Sequence, residues 1–448
     1  MTHTHPTLRI FLTAIVLLLS STLVKAQTIE LANKVHIELR WDNTAEVTSS
    51  PDASGNIIIP QSVTHEGKTY TITQIGSFAF YNNQELTSVE LPKTIKKIED
   101  YAFGWSGLTK INGQIPALDN LGINVFENTP WLDNLISNTK ENQFVYFGNW
   151  IIANTYDPFE IYDEIHIKDG VVGFADDLKS LPALCVYIPK SLTNIQTSFL
   201  NGNYQAEKFV VDKDNPTFLS DEYGAIYYRN HTTSYYSDID DTYHEVTGKM
   251  LYLYPTASKV DTFNVAAGTK AIMSNSCCET TFKAIIIPEG IEAIENNAFY
   301  YSRCTLFDLP SSIKSISFAF HKLALNAKII MRSPNIPSSD KYDNFDGCKK
   351  ITAYVPNNAL EDYKEFFESH EYGTFIVKSF DEYPKPLYHK TDVNHDGITN
   401  SVDVVAIYNY IFSGNDSGIS KSQFDVNGDG TINSADITEI YNYIIGSK

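Results

Sequence analysis

The chain has 448 residues, 43% hydrophobic and 20% charged, with 34 basic against 54 acidic side chains and a formal net charge of −20. That length buries a sizeable core without disulfides, and an aromatic content of 13% excludes a disordered, tail-like protein. An acidic chain with no run of Lys or Arg repels phosphate backbones, which excludes nucleic acid as a partner.

Residues 1–26 read as a secretory leader. Arg9 gives a weak basic start, Ile10–Leu19 an apolar stretch too short for a permanent span, and Val24-Lys25-Ala26 a small-residue cleavage site. An uncleaved N-terminal anchor is the alternative. After cleavage no transmembrane segment remains, so the protein is expected to be secreted, free or associated with the cell surface. Residues 27–56, with alternating Val35, Ile37 and Leu39, are expected to form a capping hairpin.

Residues 57–380 carry a repeat. Ile57-Ile-Ile-Pro60, Val89-Glu-Leu-Pro92, Val186-Tyr-Ile-Pro189, Ile285-Ile-Ile-Pro288 and Phe307-Asp-Leu-Pro310 each place apolar residues three and one positions before Pro. Such residues share one face of a short strand, which Pro then ends. Downstream, Ile95 and Ile98 precede Ala102-Phe103, Ile291 and Ile294 precede Ala298-Phe299, and Ile313 and Ile316 precede Ala319-Phe320. Leu192 and Ile195 follow Pro189 in the same way, with Phe199 at the Phe position. The 22-residue step from Pro288 to Pro310 lies within the period of leucine-rich repeats. The fold class is therefore a repeat solenoid of β-strand and short-helix repeats, stacked because no single repeat can bury its apolar face alone.

These motifs resemble the BspA-like leucine-rich repeat family of bacterial and protist surface proteins. Leu86–Phe103 is close to that family's typical repeat. The segments Phe126–Trp150 and Phe209–Tyr228 resemble its interruptions, the latter as a hairpin insertion, and Tyr354-Val-Pro356 with Tyr363 and Phe366 its closing segment. The resemblance implies adhesion or another interaction with a protein or surface ligand. The cysteines at 185, 277, 278, 304 and 348 show no zinc or thioredoxin spacing and are expected to be buried free thiols.

Residues 381–390 contain Pro384 and Pro386 and read as a stiff linker. Residues 391–448 contain a duplicated loop in which Asp392-Val-Asn394-His-Asp396-Gly397-Ile398-Thr-Asn400-Ser-Val-Asp403 recurs 33 residues later as Asp425-Val-Asn427-Gly-Asp429-Gly430-Thr431-Ile-Asn433-Ser-Ala-Asp436. A hard Ca²⁺ ion takes oxygens from loop positions 1, 3, 5, 7, 9 and 12. The expected ligands are Asp392, Asn394, Asp396, the Ile398 carbonyl, Asn400 and Asp403 for one ion. For a second ion they are Asp425, Asn427, Asp429, the Thr431 carbonyl, Asn433 and Asp436. The alternative is an ion-free pair of Asx-rich turns. It would gather three carboxylates per loop with no cation, which is unfavourable. Each loop leads into a helix with Val404, Ile407, Tyr408 and Ile411, or Ile437, Ile440, Tyr441 and Ile444, on one face.

Paired loop-helix units with Asp at position 12 resemble a small all-α type I dockerin. The resemblance implies docking onto a cohesin domain of an extracellular assembly. The residues it points to are Ser401, Val402, Val405 and Asn409 in one half, and Ser434, Ala435, Thr438 and Asn442 in the other. The near-identical halves would permit either helix to lead. Plain solvent-exposed helix surface is the alternative for these eight.

The chain has no G-x-S-x-G, no H-E-x-x-H and no phosphate-cradling loop, and repeats fill the space a catalytic fold would need. The expectation is a non-catalytic protein. Its repeats would bind a protein or surface ligand while a calcium-loaded dockerin tethers it to a cohesin. A glycan-binding accessory role in polysaccharide breakdown is the second reading, with the Tyr223–Tyr254 region as the candidate aromatic row, and a hidden glycoside hydrolase the third. Asp238–Asp241 is expected to be a solvated hairpin tip.

Overall fold

The apolar runs before each Pro form strands whose inward side chains are buried. Ile57, Val89, Val186, Ile285 and Phe307 have no exposed surface, and Ile59, Leu91, Ile188, Ile287 and Leu309 are buried beside them. The computed structural model describes residues 27–175, 181–195, 205–339, 345–368, 374–383, 390–394, 399–414, 419 and 421–446. The expected leader, most of the linker and Phe199 lie outside them. The chain divides into two compact units, the first built mainly from residues up to Asp157 and the second mainly from Phe199 onward.

In the first unit, Gln27–Glu30, His36–Leu39 and Thr44–Thr48 pair antiparallel. Parallel pairing then takes over, from Thr44–Thr48 to Lys68–Ile75, Lys97–Ile98 and Asn120–Leu121. A second parallel sheet joins Gly55–Ile58, Leu86–Glu90 and Lys110–Asn112. The repeats thus contribute one strand to each of two parallel sheets.

The second unit repeats this plan. Thr262–Asn264, Ala284–Ile286, Leu306–Leu309, Ala327–Met331, Ile351–Val355 and Phe375–Ser379 form one parallel sheet. Thr269–Ile272, Ala293–Ile294, Ser315–Ile316 and Ser338–Ser339 form the other. Within the expected hairpin insertion Phe218–Ser220 pairs antiparallel with the start of Ile226–Ser237, but the segment before it does not join the hairpin. Lys208–Val211 is a parallel repeat strand paired with Ala183–Ile188, while the long hairpin is Ile226–Ser237 with Thr242–Leu253. In the closing helix Leu360–Glu368, Tyr363 and Phe367 are the buried residues, and Phe366 is only partly covered.

The short helical segment expected in each repeat takes the form of overlapping turns. Residues before the Ala-Phe pair and four positions later have left-handed backbones: Phe78 and Asn82, Tyr101 and Trp105, Asn297 and Tyr301, Phe318 and Lys322. Each such residue costs about 1–2 kcal/mol with a side chain present. The compensation lies between coils. Phe78, Phe80 and Asn82 donate their N–H groups to the carbonyls of Asp100, Ala102 and Gly104, and Tyr101, Phe103 and Trp105 to those of Ile123, Val125 and Glu127. A helix would spend those donors on its own carbonyls. The Phe rings stack inside, Phe80 on Phe103 at 5.3 Å and Phe103 on Phe126 at 5.7 Å, and Phe299 on Phe320 and Phe320 on Phe345 in the second unit.

The cysteines are free thiols. Cys304 fills the buried position that Leu86 and Phe282 take in other repeats.

Candidate functional site

In the second duplicated loop, each short polar side chain binds the backbone just ahead of it. Asp425 Oδ2 accepts from the Gly430 N–H, Asn427 Oδ1 from Asp429 and Asp429 Oδ1 from Thr431, all at 2.8 Å. Gly430 makes the turn with φ +84°, which a side chain would strain. Asp436 is fully buried and accepts from the Asn427 and Asn433 N–H groups at 3.1 and 2.9 Å. Asp425 Oδ1 is buried with no hydrogen-bond partner among the described residues. An unpaired carboxylate oxygen in such a place is costly unless a cation meets it. Among the described residues an ion pair joins Lys390 to Glu439, and Asp425 Oδ1 meets no basic partner. The donor set, carboxylate and amide oxygens without sulfur or imidazole, fits a hard divalent ion such as Ca²⁺. Among the described residues no three of His, Cys, Asp and Glu form a preassembled metal cluster.

The first loop shows the same frame where it is described. Asp403 is fully buried and accepts from the N–H groups of Val393, Asn394 and Asn400 at 2.8, 3.1 and 2.8 Å. Asp392 is 3% exposed. Asp396 and Ile398 lie outside the described residues.

Positions 9 and 12 also have a structural role that metal spacing alone did not reveal. Asn400 caps the helix Ser401–Ser413 and Asp403 completes a capping box, while Gly414 ends it in a left-handed conformation. Asn433 caps Ser434–Gly446 by accepting from the Ala435 N–H at 2.8 Å. An N-x-x-D run opening an apolar helix is the signal that could have found this.

The two helices meet over a small core of Val393, Ile407, Phe424, Val426 and Ile440, with Val404, Tyr410, Ile437 and Ile444 packed against it. Of the residues expected on one helix face, Tyr408 and Ile411 are 51% and 42% exposed, and Tyr441 is 50% exposed. A seam between two helices covers a narrower stripe than a face packed on a large core. Tyr410 takes the inner place instead and stacks on Phe424 at 4.7 Å.

Ser401, Val402, Val405 and Asn409 are exposed, as are Ser434, Ala435, Thr438 and Asn442. The expected set missed Tyr408, Ile411 and Phe412, which extend the apolar surface of the first helix; Phe412 is 77% exposed and stacks on Tyr408 at 5.1 Å. The step of seven from Val405 to Phe412 was the available sign.

On the repeats, the Tyr223–Tyr254 stretch does not form an exposed row. Tyr227, Tyr252 and Tyr254 are core residues. Only Tyr236 and Tyr243, beside the hairpin tip, stand well out. At that tip Asp238 accepts from the Ser338 hydroxyl, Asp240 pairs with His244, and Asp241 accepts from Tyr236. The hydrogen bond from His244 holds the Asp240 carboxyl down at about 2. In the first unit Phe78, Tyr81 and Trp105 are exposed, but Phe78 and Tyr101 stack on each other at 5.3 Å and cover each other's faces.

Residues 390–445 match the dockerin type I domain. Residues 57–161 and 257–385 match the BspA type leucine rich repeat region, in six copies across the chain. Similar solved structures include a leucine-rich repeat protein from Eubacterium ventriosum, at 16% identity over 79% of this chain and 85% of that one, with a TM-score of 0.39. A leucine rich cell surface protein from Faecalibacterium prausnitzii is 15% identical over 78% and 94%, with a TM-score of 0.32. The pneumococcal vaccine antigen PcpA is 15% identical over 79% and 99%, with a TM-score of 0.33. No curated protein matches the chain.

Proposed function

Because the chain belongs to the BspA type leucine-rich repeat family and carries a type I dockerin domain at its C-terminus, we propose that it is an exported interaction protein. Its dockerin docks the repeats onto a cohesin-bearing extracellular assembly, and the repeats hold a protein or surface ligand. Both families are non-catalytic, and type I dockerin domains bind calcium. No helix among the described residues is long and apolar enough to cross a membrane.

The observation that carries the reading is the buried, unmatched Asp425 Oδ1 at the head of a duplicated oxygen-rich loop. In the second loop Asp425, Asn427, Asp429, Thr431, Asn433 and Asp436 would hold one ion. Asp392, Asn394, Asp396, Ile398, Asn400 and Asp403 would hold the other. Calcium supplies the positive charge that lets these carboxylates share one loop. The chain's own backbone N–H groups orient Asp403 and Asp436, and the caps fix where each helix starts. That start sets the exposed row Ser401, Val402, Val405 and Asn409, with its counterpart Ser434, Ala435, Thr438 and Asn442, for a cohesin.

Calorimetric calcium titration of the full chain, followed by capture on a type I cohesin with and without chelator, tests this. Two sites per chain and chelator-sensitive capture are expected. Calcium that produces no heat and no capture would sink it.

A further inference from the structure

The second C-terminal loop places Gly428 directly after Asn427, and both are exposed. In an Asn-Gly pair the following backbone nitrogen reaches the side-chain amide most freely, because Gly has no Cβ in the way. The hydrogen bonds of the loop leave that nitrogen unused. Asn427 donates its own N–H to Asp436, Asp429 to Asn427 Oδ1, Gly430 to Asp425 and Thr431 to Asp429. The Gly428 N–H has no acceptor among the described residues. Its backbone sits at φ +75°, and no atom lies within 4 Å of where a Cβ would stand.

Two other positions set the contrast. Asn394, the counterpart in the first loop, is followed by His395, whose side chain hinders the same approach. Among the described residues the other Asn-Gly pair is Asn112-Gly113, and there Asn112 is held in a parallel strand opposite Glu90.

We propose that Asn427 is a site of spontaneous deamidation, which converts loop position 3 to aspartate or isoaspartate while the loop holds no calcium. Hydroxide removes the Gly428 N–H proton, and the nitrogen bonds to Asn427 Cγ. The Cγ–Nδ2 bond breaks and ammonia leaves, closing a succinimide ring. Water then opens the ring at Cγ to give aspartate, or at the main-chain carbonyl to give isoaspartate. Nothing is oxidised or reduced. The inference rests on the calcium reading above, in which the Asn427 amide oxygen is committed to the ion and ring closure is slowed.

The product changes the loop. Asn427 Nδ2 donates to Asp429 Oδ2 at 3.0 Å. A carboxylate oxygen in place of that donor sets two like charges against each other, which disfavours the empty loop. Isoaspartate also lengthens the main chain by one carbon and shifts the oxygens that follow. The first loop escapes both changes, so deamidation makes the two halves unequal.

Peptide mass spectrometry of the full chain tests this, after incubation at mildly alkaline pH with calcium or chelator and with helix content followed by circular dichroism. Aspartate and isoaspartate at position 427 are expected in chelator, with Asn394 and Asn112 converting far more slowly. Calcium is expected to slow the conversion about tenfold or more, because a saturated site leaves few empty loops. An Asn427 that stays intact in chelator overturns the proposal, as does conversion that begins only once helix content is lost. Calcium that binds with measurable heat yet leaves the rate unchanged overturns the proposal and leaves the calcium reading standing. Calcium that gives neither heat nor protection overturns both.

Discussion

Asn400 and Asp403 cap one helix from both directions: the Asn400 side chain accepts from the Val402 N–H at 2.7 Å, and the Asp403 carboxylate accepts from the Asn400 N–H at 2.8 Å. The same two side chains stand at loop positions where calcium ligands are expected. Cap and ion therefore depend on one geometry. Asp403→Ala is expected to lower stability by about 1 kcal/mol even in chelator, the usual cost of a lost cap, and to weaken calcium binding besides. Melting curves with and without chelator separate the two effects. A change seen only with calcium present would show that Asp403 does not stabilise the helix by capping.

The two halves are near-identical in sequence but present different surfaces. The first helix exposes Val402, Val405, Tyr408 and Phe412, where the second has Ala435, Thr438, Tyr441 and Ile445. Val405→Asp is expected to weaken cohesin capture about tenfold or more, and Thr438→Asp by less than about threefold. Equal losses from both variants, measured by surface binding, would restore a symmetric dual mode.

Within the second unit Arg332 donates to Asp308 at 2.7 Å, and both side chains are buried. Removing one partner strands a charge. Arg332→Met is expected to cost about 3–5 kcal/mol by denaturant unfolding, while the double replacement Asp308→Leu with Arg332→Met recovers most of it. A double variant no better than the single one would argue that packing, not charge, holds this position.

Burial raises the thiols of Cys278 and Cys304 to about 12 and that of Cys348 to about 11, and raises Cys277 as well. The thiolate is the reactive form, so alkylation of these four is expected to be slow at neutral pH and complete only after unfolding. Mass spectrometry after iodoacetamide treatment reads the count. Rapid native labelling at any of these four would contradict their burial.

The repeat plan was legible because its signal is periodic. Ile57 and Ile59, Val89 and Leu91, and Ile285 and Ile287 mark inward strand positions by their distance from Pro, and all are buried. The turn conformation was not legible. Phe78, Tyr101 and Asn297 adopt left-handed backbones because N–H groups two residues apart find carbonyls on the next coil. That partner is about one repeat away in sequence, and local propensity carries no record of it. The first segment assigned to the hairpin insertion was misread for a related reason. Phe209-Val-Val211 suits either an antiparallel or a parallel partner, and only its pairing with Ala183–Ile188 decides.

In the C-terminal loops the sequence by itself determined the donor chemistry, because ligand spacing is local: oxygens at alternate positions, a Gly at the turn and a helix immediately after. It could not say that Tyr408 would be exposed and Tyr410 inside, since both fit a helical period and the neighbouring Phe424 makes the choice. Local spacing encoded the calcium loops and the repeat period; contacts between coils and between helices, which depend on residues distant in sequence, decided which side chains were left facing outward.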